Sequence, residues 1–214
     1  MIFDGHSDIF SDVRYKREAG ETQVLKNHHL DRLRKGGIGG ACFVIWADTY
    51  NGHAPKDEME AIVKGIKGEM AETKEFVLIH NVEELKAAEA AGKFAILLGI
   101  EGLAGIGEDL SKIDELYDLG ARHAMLTWNE ENALATGVKG DPNRGVTELG
   151  KQAIKKLQEK KMILDVSHIN EKSFWDVIDL ATGPILASHS NAKALASAAR
   201  NLTDDQLRAI RDTN

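Results

Sequence analysis

Disulfides are excluded from the outset, because the 214-residue chain contains one cysteine, Cys42. It sits in the apolar run Ala41-Cys42-Phe43-Val44-Ile45-Trp46, where a small buried hydrophobe is the expected role of a free thiol. Prolines number three, few for a chain with many loops, so regular structure should dominate. No apolar stretch approaches the roughly 20 residues needed to cross a bilayer, and no membrane partner is expected. An excess of basic charge is also missing. The formal net charge is -7, whereas nucleic-acid binding would call for a basic stripe. The chain enters Met1-Ile2-Phe3-Asp4-Gly5-His6 without a basic-then-apolar leader, so the cytoplasm is the expected address. What remains is a globular composition, 43% hydrophobic and 29% charged, long enough to bury a sizeable core.

Short apolar runs alternate with amphipathic helical stretches, which is the pattern of βαβ units. The runs that read as strands are Ile2 to Asp4, Ala41 to Trp46, Phe94 to Ile100, His123 to Thr127, Met162 to Val166 and Ile185 to Ser188. Phe76 to Ile79 is a further, accessory run, and Lys56 to Thr73 and Gly150 to Lys160 are the longer helical patterns. Asn81 with Glu84, and Thr203 with Gln206, have the spacing of capping boxes, in which side chains satisfy the free N–H groups of a helix start. Gly92, Gly120 and Gly183 stand where a left-handed residue would close a helix. No repeat, low-complexity segment or linker interrupts the pattern, so residues 1–214 read as a single domain.

The polar residues fall into place on that map. His6 and Asp8 follow the first strand, Glu101 the third, Trp128-Asn129 the fourth, His168 the fifth and His189 the sixth. A TIM barrel builds its active site from several βα loops at the C-terminal strand ends. A doubly wound sheet gathers its ligands near one switch point instead. The expected fold is therefore α/β, a (β/α)8 barrel of TIM type. A complete barrel has eight such units and about 250 residues. Six units precede Asn214, so the domain reads as truncated at its C-terminus. Unpaired edges near Ile2, Phe3, Ile185 and Leu186 would then favour aggregation or pairing with a second copy.

The same residues form a metal-ligand set. Residues two apart in an extended segment project to one side, so His6 and Asp8 can grip one ion together. Taken alone, an acid or histidine beside a glycine is usually turn chemistry. Glu101 ends the buried run Leu97-Leu98-Gly99-Ile100, where a carboxylate is costly unless paired or metal-bound. Asp165-Val166-Ser167-His168 and Ala187-Ser188-His189-Ser190 are two runs of similar shape that each end a strand in Ser-His. One such histidine is more often a satisfied core residue; two in equivalent places argue for ligation. All the donors are N or O, which suits zinc or a similar divalent ion. Five exceed the need of one catalytic zinc and suit a two-metal site with a shared carboxylate. Glu101, on a strand between the two ligand pairs, is the natural bridge and the catalytic carboxylate. His28, His29, His53, His80 and His123 are assigned to no metal.

In Asp4-Gly5-His6-Ser7-Asp8, Gly99-Ile100-Glu101-Gly102, Leu126-Thr127-Trp128-Asn129, Asp165-Val166-Ser167-His168, Ser188-His189-Ser190 and Ala199-Arg200-Asn201-Leu202-Thr203-Asp204, the chain resembles the membrane (renal) dipeptidase family, binuclear zinc peptidases, in their bacterial type. The likeness runs through essentially the whole chain. It implies a (β/α)-barrel that hydrolyses dipeptides and often accepts a D-residue at the C-terminal position. It further implies that His6 and Asp8 hold one zinc, that His168 and His189 hold the other, and that Glu101 bridges them. Arg200 matches a family arginine that clamps the substrate carboxylate, a task suited to a planar guanidinium. Trp128 stands where several members carry a substrate-contacting histidine, and Trp128-Asn129 matches a bacterial variant. A late aspartate of the family has no counterpart before Asn214.

The sequence thus predicts a zinc dipeptidase with two Zn²⁺ or similar ions, a bridging hydroxide as nucleophile, and Arg200, Trp128 and Asn129 contacting substrate. Its expected partner is a small dipeptide, including L-Xaa-D-Xaa, with a homodimer left open. Two alternatives stand beside it. One is another amidohydrolase-type barrel acting on an N-acyl amino acid, lactone or cyclic amide. The other is a non-catalytic metal-binding remnant.

Overall fold

Every apolar run singled out above becomes a strand in the computed structural model, which describes residues 1–47 and 52–213. The strands are β1 (Ile2–Ser7), β2 (Ile38–Trp46), β3 (Phe76–Ile79), β4 (Phe94–Glu101), β5 (His123–Met125), β6 (Ile163–Asp165) and β7 (Ile185–Leu186). Between and after them lie α1 (Ile9–Glu18), α2 (Asp31–Lys35), α3 (Pro55–Glu72), α4 (Val82–Ala90), α5 (Lys112–Leu119), α6 (Glu148–Glu159), α7 (Glu171–Leu180) and α8 (Asp204–Arg211). Leu25–Leu30 is a π-helical segment leading into α2. The expected α/β class holds: β1 with β2, β3 with β4, β5 with β6 and β6 with β7 all pair in parallel. Among the described residues no helix is long and apolar enough to cross a membrane.

Two compact units divide the chain. The first comprises Met1–Ile100 with Leu119–Arg122 and contains a sheet of order β1-β2-β4-β3. β3 occupies the edge of that sheet, the accessory place expected for Phe76–Ile79. An aromatic chain runs through its core. Phe10 of α1 meets Phe43 of β2 edge-on at 5.5 Å, Phe43 stacks on Phe94 of β4 at 5.5 Å, and Phe76 of β3 follows at 5.1 Å. Such pairs contribute about 0.5–1.5 kcal/mol each beyond the area they bury. Cys42 is buried and free beside them, as expected.

Helix α3 buries Met59, Ile62 and Ile66 at helical spacing. The same face carries Glu69, which has no solvent exposure. Its carboxylate accepts the Leu25 N–H at 2.8 Å, the Thr73 hydroxyl at 2.8 Å and an Arg17 N–H at 3.0 Å. That full set of partners is what makes a buried charge tolerable here.

The second unit comprises Glu101–Asp118 with His123–Asn214 and contains the sheet β5-β6-β7. Ala124, Met125 and Leu164 from the strands, Val166 just after β6, Ile154 and Leu157 from α6, and Phe174 and Val177 from α7 are buried in it. Its helix starts are chemically explicit. Thr147, Asn170 and Thr203 each accept the N–H three residues on, opening α6, α7 and α8. At Thr203 the Gln206 side chain reaches back, so that capping box is complete. At α4 only half of the expected box forms: Asn81 accepts the Glu84 N–H, but Glu84 accepts from His80 N–H. Gly92 and Gly120 are left-handed as expected, with φ of 65° and 121°. Gly183 is not left-handed, because α7 already ends at Leu180 and the chain leaves through extended Ala181.

Candidate metal centre

The strand ends deliver the polar residues. In the first unit β1 runs on to Ser7, so His6 lies within the strand, one residue before its end, rather than after it. Asp8 follows at the start of α1, with its Oδ1 3.7 Å from His6 Nε2. The two side chains expected to share an ion are therefore side by side.

In the second unit, Glu101, the last residue of β4, is buried, and its Oε1 lies 2.9 Å from His168 Nε2 and 3.3 Å from His189 Nε2. The Nε2 atoms of the two histidines are 2.8 Å apart. Each ring is held from behind: His168 Nδ1 lies 2.9 Å from Asn129 Oδ1, and His189 Nδ1 lies 2.8 Å from Ser188 Oγ. With Nδ1–H donating to Asn129, His168 turns a lone pair toward Glu101 and His189. That lone pair, His189 Nε2 and a carboxylate oxygen of Glu101 then meet in a buried place, a set of donors that suits a divalent cation. For metal–donor bonds near 2.0–2.1 Å, tetrahedral ligand atoms stand about 3.3 Å apart. The Glu101–His189 spacing of 3.3 Å equals that value, and the 2.9 and 2.8 Å spacings are shorter, so the three donors would spread by a few tenths of an ångström around an ion.

Trp128, Asn129 and Arg200 belong to the same surroundings. The Trp128 ring is centred 6.0 Å from that of His168, and Lys139 Nζ lies over the indole at 5.5 Å. Arg200 donates from Nη2 to the main-chain oxygen of His189. Asn129, expected to meet substrate, has its side-chain oxygen turned to His168. Gly102 lets the loop after β4 approach: its φ is +81° and a Cβ there would lie 2.7 Å from Trp128 N.

Several structural residues escaped the sequence reading. Asn132 accepts the N–H groups of Leu134 and Ala135 and donates to Leu126 O. Arg144 donates to the main-chain oxygens of Ala135 and Asn132, and Asn170 to those of Asp141 and Arg144. Together they stiffen the loop whose Val138 N–H reaches His168 O at 2.9 Å. That bond matters because His168 has φ of 72°, a conformation costing a non-glycine residue about 1–3 kcal/mol. Asp165, which the sequence shows only as part of a motif, and His123, which it marks as no metal ligand, form a fully buried pair at 2.8 Å. Burial pushes the Asp165 carboxyl up, but the His123 contact and the Ser188 and Ser167 hydrogen bonds together bring it down to about 2.

The family model of the membrane dipeptidases, peptidase family M19, matches residues 1–214. The chain belongs to that family. It is 30% identical over 243 residues to an uncharacterized protein in the PQQ-III 3′ region of Acinetobacter calcoaceticus, covering 99% of this chain and 77% of that protein. It is 43% identical over 139 residues to an uncharacterized protein in the pqqA 5′ region of Klebsiella pneumoniae, covering 62% of this chain and 50% of that one. Among solved structures, a dipeptidase described as an M19 metallopeptidase superposes with a TM-score of 0.88 at 26% identity, covering 99% of this chain and 70% of the other. A metallopeptidase from Rhodobacter sphaeroides, liganded with a phosphinate mimic of the dipeptide L-Ala-D-Ala, gives the same TM-score and identity, with 99% and 71% covered. The M19 chain is thus a metallopeptidase of dipeptidase type with the fold of those enzymes, and it carries a divalent-metal centre by family.

Proposed function

We propose that this M19 chain hydrolyses dipeptides, L-Xaa-D-Xaa among them, at a centre of two divalent ions, zinc or a similar metal. In this reading His6 and Asp8 hold one ion, His168 and His189 the other, and Glu101 bridges them. The observation that carries it is the convergence of Glu101 Oε1 with the Nε2 atoms of His168 and His189 at 2.9 and 3.3 Å. The L-Ala-D-Ala mimic in the Rhodobacter sphaeroides relative supports the substrate class. When bound, the ions acidify the attacking water and offset the negative charge that builds on the carbonyl oxygen.

The chain's own residues do the rest. Asn129 and Ser188 fix the ring orientations of His168 and His189 and so keep the donor atoms turned toward one another. Arg200, tied to the His189 carbonyl, presents its guanidinium to the substrate carboxylate and orients the peptide. Trp128 supplies an apolar wall beside His168.

The test joins metal analysis to a substrate panel. The purified chain should hold two ions and cleave L-Ala-D-Ala while leaving N-acetyl-D-Ala intact. Preferential cleavage of N-acyl amino acids, or bound metal without turnover of any dipeptide, would refute the proposal.

A further inference from the structure

A single buried carboxylate ties together the strand ends that carry both histidines. Asp165 ends β6 and is fully buried. Its Oδ1 accepts the Ser167 N–H at 2.7 Å, and its Oδ2 accepts the Ser188 N–H at 3.1 Å. Ser167 and Ser188 directly precede His168 and His189. The same Oδ2 lies 2.8 Å from Nε2 of His123, on β5, which is also fully buried. Ser167 Oγ closes the arrangement by accepting the His189 N–H at 3.3 Å. β5, β6 and the residues after β7 therefore meet at one side chain.

We infer that Asp165, held in place by His123, is a positioning residue that sets the separation of the His168 and His189 donor atoms. The physical case is one of acceptor capacity. An ionised carboxylate can accept all three bonds at once, and no neutral side chain of this size can. Charged acceptors also make the stronger bonds. If the link to Ser188 N–H is lost, the turn bearing His189 is no longer referenced to β6. His168 sits in a strained left-handed conformation, so its turn relaxes readily once Ser167 N–H is released. Ligand positions must hold to about 0.5 Å to bind a metal well. Loss of groups that act through the ligands typically costs 10–100-fold in metal affinity.

This inference rests on the proposal that His168 and His189 are metal ligands, and the experiment separates the two. Wild type, His168→Ala, Asp165→Asn, His123→Gln and His123→Ala are compared for zinc affinity by competition with a chelator, for the visible spectrum after cobalt substitution, and for the thermal midpoint of the metal-free form. Asp165→Asn should bind the His168/His189 ion about 10–100-fold more weakly, with a cobalt spectrum shifted toward that of His168→Ala. His123→Gln, whose amide can still donate to Asp165, should stay near wild type. Wild-type affinity and cobalt spectrum in Asp165→Asn, with only a lowered midpoint, would overturn the inference and leave Asp165 a structural residue. Should Asp165→Asn fail to fold, His123→Ala decides, since it removes one partner and leaves the carboxylate; weakened binding supports the inference and unchanged binding overturns it. If His168→Ala itself loses no ion, the proposed centre falls and this inference with it.

Discussion

The Nε2 atoms of His168 and His189 face each other across 2.8 Å, although 21 residues separate them in the chain. One ring is oriented from a distant loop and the other from within its own turn. Asn129 holds one from the loop after β5, and Ser188 holds the other from the preceding residue. Donors fixed in this manner suit an ion, which would in turn stabilise them.

Metal removal is the direct consequence to test. An ion present at 100 times its dissociation constant stabilises the folded state by about 2.7 kcal/mol, and 1 kcal/mol moves the midpoint of a chain this size by roughly 2–4 °C. Dialysis against a chelator should therefore lower Tm by several degrees, and added zinc should restore it. An unchanged Tm after verified metal removal would show that the cluster makes no energetically useful metal contact.

Glu101→Gln tests the bridge. A neutral amide is a poor shared ligand, so occupancy of both ions should fall in metal analysis. Loss of one ion with the other held normally would assign Glu101 as a terminal ligand.

Arg200→Lys tests the clamp. A lysine keeps the charge but loses the two-pronged geometry. kcat/KM for free dipeptides should drop about 10–100-fold, the equivalent of roughly 1.5–3 kcal/mol for a charged hydrogen bond, with metal content unchanged. An equal drop on a C-terminally amidated dipeptide, which has no carboxylate to clamp, would contradict the assignment.

Asp165 should make stability acid-sensitive. Its folded-state pKa of about 2 lies below the ordinary carboxyl value of 3.8, so the unfolded chain binds the proton more tightly. The resulting stabilisation is fully present above about pH 5 and is lost as pH falls toward 2. It amounts to roughly 2 kcal/mol. Urea unfolding of the metal-free protein should show the gap between wild type and Asp165→Asn shrinking from pH 6 to pH 3. A gap that stays constant across that range would mean that Asp165 is not a depressed carboxyl in the folded state.

The sequence by itself determined the elements and the residues proposed as metal donors. β1 to β7 could be read because buried parallel strands are continuous apolar runs, a property of local composition. Thr203 could be read as a cap because its bond closes within three residues. Glu101, His168 and His189 stood out because polar residues ending such runs are costly without a partner. Tertiary structure decided what these residues touch. His123 reads from the sequence only as the start of a strand with no metal role, since its partner Asp165 lies 42 residues away and depends on the pairing of β5 with β6. Asn129 reads as a substrate contact, and only the folded loop, stiffened by Asn132 and Arg144, shows its side-chain oxygen turned onto His168. The left-handed backbone of His168 carries no sequence mark, because nothing local favours φ of 72° in a histidine; the Val138 N–H, supplied from 30 residues earlier, holds it there. Local patterning encodes which groups must be satisfied, and only register and loop packing choose the partners that satisfy them.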